Sequence, residues 1–147
     1  MPKRIPDYII RTVLVEDLKN FQGQWAAVVE DVQGRRKEMW TDTCVATLCR
    51  DGELESVTAP LRRLPLKKSK VDVYTCSHYV CEGLRDDLYV RDKRRLREGN
   101  TGRWGELEDI MTVHSVRVHY VAPQDVCEDM EKARQVALSS LPVNLAA

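Results

Sequence analysis

Three apolar, β-branched stretches fill the first part of the chain, Tyr8 to Val15, Trp25 to Val29 and Lys37 to Val45. The segment Leu18-Lys19-Asn20-Phe21-Gln22-Gly23-Gln24 divides the first pair, with turn residues near its middle, and Gln33-Gly34 divides the second. Stretches separated in this way read as strands joined by hairpins. In the third, Met39, Trp40 and Val45 sit among threonines, a mixture that fits a pleated, half-buried surface. A chain that opens so is committed to an antiparallel meander of three strands, and the remaining residues must cover it.

The later residues change period. After Asp51, which reads as an N-cap, Leu54, Val57, Leu61 and Leu64 recur at spacings of three and four and share one helical face. Pro60 is expected to kink or shorten that helix. Val71 to Thr75 alternates as a short strand and leads into a helical pattern through Tyr79, Val80 and Leu84. Residues 85–103 carry Arg85, Arg91, Lys93, Arg94, Arg95, Arg97 and Arg103, interrupted by Asp86, Asp87, Asp92 and Glu98, and end in Gly99-Asn100-Thr101-Gly102. They read as a solvated helix end and loop. Trp104, Leu107, Ile110 and Met111 have helical spacing, with Trp104 expected in the core. Val113 to Val121 alternates as a strand with Val116 and Val118 on one face. A last helix is expected from about Val126 to Leu138, before Pro142. The order β-β-β-α-β-α-α-β-α, without internal repeat, predicts an α/β fold.

With 147 residues, 43% of them apolar, one domain over residues 1–147 can bury a core without disulfide or metal staples. Lys plus Arg and Asp plus Glu number 23 each, so the molecule as a whole has no pull on nucleic acid or an anionic membrane, and either would need a local patch. The five cysteines, Cys44, Cys49, Cys76, Cys81 and Cys127, are odd in number, and no long apolar run suggests a leader or membrane span. Reduced thiols in a cytoplasmic protein without a membrane role are the expectation. Cys76-x-His78-x-x-Cys81, even completed by Cys127 or His119, fits no common structural zinc spacing.

The stretch Val71-Asp72-Val73-Tyr74-Thr75-Cys76-Ser77-His78-Tyr79-Val80 resembles the fourth strand and following helix start of the ribonuclease H family, which reads apolar strand, Thr, Asp, Ser, any residue, Tyr, Val. Cys76 stands where the Asp belongs. Asp51-Gly52-Glu53-Leu54 is similar to the start of the family's first helix, with Glu53 at a metal-binding Glu. Val13-Leu14-Val15-Glu16-Asp17 takes the place of its first strand, with Asp17, or else Glu16, as the acid. Arg117 to Val121 and Glu128 to Arg134 resemble its last strand and final helix, Asp129 lying one residue off the best register. The loop Ala122-Pro123-Gln124-Asp125 lacks the family's His. The resemblance implies a ribonuclease H-like, five-stranded mixed sheet, three antiparallel strands first, flanked by helices.

In active members, four carboxylates hold two divalent ions for phosphodiester hydrolysis. Here that implies a catalytic set of Asp17, Glu53, Cys76 and Asp129, with Asp17, Glu53 and Asp129 as the ligands of Mg²⁺ or Mn²⁺. A thiol at Cys76 is soft and mostly protonated, and it should weaken such a site. Asp72 shares its strand face but lies about 13 Å away along the strand, and Asp86 or Asp87 could substitute only from an unusual helix start. The plainer readings are that Glu53 favours a helix dipole, Asp17 ends a turn, Asp129 is solvated and Cys76 is a small buried residue. Arg91, Lys93, Arg94, Arg95 and Arg97 resemble the family's basic protrusion that grips the backbone of an RNA/DNA hybrid. The expected function is a nucleic-acid-binding or assembly module with an impaired two-metal site. The alternatives are a divergent ribonuclease cleaving the RNA strand of hybrids, and a domain that binds a protein partner and no nucleic acid. Leu145-Ala146-Ala147 resembles the end of a bacterial degradation tag, a flexible tail being the plainer reading.

Overall fold

The computed structural model describes residues 4–85, 87 and 89–141; Asp86 and the Leu145-Ala146-Ala147 tail lie outside them. Strands β1 (Tyr8–Asp17), β2 (Gln22–Asp31) and β3 (Arg36–Val45) form the expected meander, with Tyr8 opposite Asp31 and Gln22 opposite Val45. The first hairpin runs beyond the apolar pattern, because backbone pairing continues through Glu16, Asp17 and Gln22 whatever their side chains. A 3-10 turn at Leu18–Asn20 closes it, with Phe21 in the left-handed region at φ 55°. In the second hairpin the Gly34 N–H donates to the Asp31 carboxylate at 3.0 Å.

Helix α1 (Asp51–Arg63) then leads to β4 (Lys70–Thr75), α2 (His78–Gly83), α3 (Val90–Leu96), α4 (Thr101–Val113), β5 (Ser115–Tyr120) and α5 (Glu128–Ser140). β4 lies parallel to β1, and β5 parallel to β4. The result is a five-stranded mixed sheet in the order β3-β2-β1-β4-β5, flanked by helices. This architecture is the one expected and is compatible with a ribonuclease H-like arrangement. One element was not foreseen: α3 falls in the charge run read as a helix end and loop, and it buries no residue, so it carries no apolar stripe to betray it.

The sheet separates two apolar layers. On one face Ile10, Trp25 and Val73 pack with Leu54, Val57 and Leu61 of α1 and Trp104 and Leu107 of α4. Each such side chain contributes about 1.5–3 kcal/mol when fully buried. On the other face Ala26 and Val28 pack with Ala133 and Ala137 of α5, joined by Val13 and Val15. Alternation along β1 therefore sends Leu14 toward α1 and Val13 toward α5. No helix among the described residues is long and apolar enough to cross a membrane.

Pro60 neither ends α1 nor leaves it short, since the helix continues to Arg63. A proline at 60 has no N–H to give the carbonyl of Ser56, one turn earlier. That carbonyl instead accepts the Thr12 hydroxyl of β1 at 2.7 Å. The residue that would break the helix thus frees an acceptor that pins it to the sheet. Asp51 also differs from its expected role: it is the first helical residue, and its carboxylate accepts from the Thr47 N–H at 2.8 Å and the Gly52 N–H at 3.0 Å.

Candidate functional site

β1, α1, β4 and α5 converge on a cleft of about 440 Å³ beside the ends of β1 and β4. β1 lends it Val13, Leu14 and Glu16, α1 lends Glu53, and the turn after β4 lends Cys76 and Ser77. Met130, Glu131 and Arg134 come from α5, and Pro123 and Val126 from the connection before it. The turn after β4 is held locally. The Ser77 N–H donates to Thr75 Oγ1 at 3.0 Å, and Ser77 Oγ caps α2 by accepting the Val80 N–H at 3.2 Å. The same hydroxyl donates to Glu53 Oε1 at 2.7 Å, and Arg50 Nε lies 3.9 Å from the other oxygen. Glu53 therefore faces the cleft with a fixed carboxylate.

From β1, Glu16 and not Asp17 reaches this cleft. Leu14 and Glu16 alternate together toward α1, whereas Asp17 shares the other face with Val13 but lies four residues further along β1, past the cleft, where it accepts from Asn20 Nδ2 at 2.6 Å. Burial, then the charges of Glu53 and Asp51, push the Glu16 carboxyl above its ordinary range. From α5, Met130 and not Asp129 turns inward. Met130 is 1% exposed, in a stripe with Ala133 and Ala137. Asp129 points to β3, where Lys37 Nζ lies 2.8 Å away and holds its carboxyl below the usual range. Burial pushes the Cys76 thiol up, so it stays protonated at neutral pH.

The expected ligand set is thus not assembled: Glu53 lines the cleft, while Asp17 and Asp129 are turned away from it. Among the described residues no group of three or more His, Cys, Asp or Glu side chains is placed to hold a metal ion. Val13, Cys76 and Met130, from three of the four converging elements, offer no hard oxygen donor, and hard cations require several. The residues present do not fit a two-metal centre. Other acids are engaged elsewhere: Asp72 lies 3.2 Å from His119 Nε2, and Asp87 is paired with Arg85 at 2.7 Å.

The basic segment divides in two. Arg97, at the end of α3, is built into the protein: its guanidinium lies 4.4 Å over the Trp104 ring, donates to the Gly83 carbonyl at 2.8 Å and pairs with Glu108. Trp104 itself is 1% exposed, in the core as expected. Among the described residues Arg91 pairs only with the neighbouring Asp92, at 3.9 Å. Lys93, Arg94 and Arg95 form no ion pair among the described residues, and Arg94 and Arg95 are exposed. The chain matches no known protein-family model, and a search of curated proteins finds no match.

Sequence reasoning missed Val13, Met130 and Ser77 as cleft residues. The signals were present: β1 alternation sets Val13 and Glu16 on opposite faces, and Met130 heads the Met130-Ala133-Ala137 stripe.

Proposed function

We propose that this chain is a divergent ribonuclease H-like domain that binds nucleic acid without two-metal hydrolysis, with α3 as its phosphate contact. The observation that carries the first half is the cleft, where Val13, Cys76 and Met130 stand among Glu16, Glu53 and Glu131 and, among the described residues, no three acids are placed to share an ion. Glu16, Glu53 and Glu131 outnumber the one cation that lines the cleft, Arg134, so the cleft repels a phosphate backbone. Binding therefore falls to the cations of α3 that the fold does not use, Arg91, Lys93, Arg94 and Arg95, which contact phosphates without reading sequence.

A labelled RNA/DNA hybrid, titrated with the protein in Mg²⁺ or Mn²⁺ over a range of salt, tests this. The expected result is intact hybrid and an affinity that falls with salt at a log–log slope of about −3 to −4, for four phosphate contacts. Replacing Lys93, Arg94 and Arg95 by Ala should flatten that slope. Metal-dependent cleavage abolished by Glu53→Gln would overturn the reading. A second reading, a protein-interaction domain, is favoured by Tyr89 and Val90, 79% and 75% exposed at the start of α3. Absence of salt-sensitive hybrid binding would select it.

A further inference from the structure

We propose that β3 pairs edge to edge with β3 of a second copy of this chain, antiparallel about a twofold axis at Met39, so that two sheets become one. The proposal is independent of the cleft and of α3. β3 is the outermost strand of the sheet, and all ten of its residues pair regularly with β2 on its inner side. Of its outer backbone groups the Thr43 N–H donates to the adjacent Asp42 carboxylate at 2.8 Å, and the others meet no partner among the described residues. Proteins usually guard such an edge with proline, a bulge, short length or an outstanding charge. β3 has neither proline nor bulge and is long; its one lysine, Lys37, is drawn toward α5 by Asp129 at 2.8 Å, and the charges left outstanding, Arg36 and Asp42, are of opposite sign, so they bar a strand that meets them with like charge but not one that sets each opposite its counterpart.

Charge complementarity selects the second copy and its register. Arg36 and Asp42 are both exposed, and neither is in an ion pair among the described residues. In an antiparallel pair related by a twofold axis, opposed positions are equally far from that axis on either side. An axis at Met39 sets Arg36 of each copy opposite Asp42 of the other, with Lys37 opposite Thr41 and Glu38 opposite Trp40. An axis at Trp40 would set Glu38 opposite Asp42, two like charges, and an axis at Thr41 would leave Arg36 and Asp42 without each other. Directly opposed unlike charges favour a strand pair and like charges oppose it. The partner is therefore this same strand, in the register centred on Met39.

Sedimentation equilibrium of the full chain over a concentration series tests the proposal. The native chain should show a monomer–dimer equilibrium. Arg36→Asp should weaken the dimer roughly tenfold or more, since two favourable contacts become repulsive. Adding Asp42→Arg to that variant should restore it, and the swap separates a pairing role from a folding defect. A chain that stays monomeric throughout overturns the proposal, as does a dimer indifferent to Arg36→Asp or not rescued by the double exchange. A monomer whose β3 amides gain protection only on adding an extended peptide would assign the edge to another partner and also overturn it.

Discussion

Arg94 and Arg97 are three positions apart, yet truncation should affect them in opposite ways. Arg97 combines a ring contact, a carbonyl and a carboxylate in a largely buried place, so Arg97→Ala should cost about 2 kcal/mol in denaturant unfolding. Arg94→Ala should change stability by less than about 0.5 kcal/mol while weakening hybrid binding. The reverse pattern would show that the segment is misassigned. His114 gives a pH signature. It is 4% exposed, its Nδ1 accepts the Ser69 N–H at 3.2 Å, and burial lowers its pKa. An imidazolium would have no lone pair left for that bond. The unfolded chain therefore takes up a proton that the folded one resists, and stability should fall as pH drops below the ordinary histidine value, through the depressed folded one. Thermal melts of His114→Asn should lose that part of the slope. The residue scale is also where the sequence was hardest to read. Glu16 and Asp17, or Asp129 and Met130, differ by one position, and one position decides which face of a strand or helix a side chain joins.

The link between α1 and β1 depends on Pro60 as much as on apolar packing. Thr12→Val keeps the shape of the side chain but leaves the buried Ser56 carbonyl without its donor, a loss of about 1–3 kcal/mol. Pro60→Ala returns a backbone N–H that can serve the same carbonyl, so Thr12→Val should cost less in that background. A double-mutant cycle by urea unfolding should give a coupling of about 1 kcal/mol; strictly additive costs would show that the two residues do not share this acceptor. The elements themselves were largely legible. The meander showed in β-branched runs and turns, and α1 in Leu54, Val57 and Leu61, because both bury a face. α3 did not show, because Arg, Lys and Asp side chains stand on every side of it and burial imposes no period. Pro60 misled for a related reason: the rule that proline breaks helices counts the missing donor, while the compensating Thr12 hydroxyl lies far away in sequence.

Over the whole molecule, topology brings β1, α1, β4 and α5 together, and side chains alone decide what their meeting place can do. If Val13, Cys76 and Met130 are what keep a divalent ion out, then Val13→Asp, Cys76→Asp and Met130→Asp together, beside native Glu53, should create a hard-cation site on an unchanged scaffold. Without metal this variant should be less stable than the native chain, because clustered carboxylates repel and are partly desolvated. Added Mn²⁺ should reverse the loss, since a ligand at about 100 times its Kd stabilises the folded state by about 2.7 kcal/mol. Melting temperature against Mn²⁺ concentration reads this directly, with the native chain as the flat control. A native chain that gained as much as the variant would place a metal on residues other than these. A folded variant that gained nothing would mean that the backbones of the four elements stand too far apart for shared ligation, and the cleft would then owe its chemistry to spacing as well as to composition.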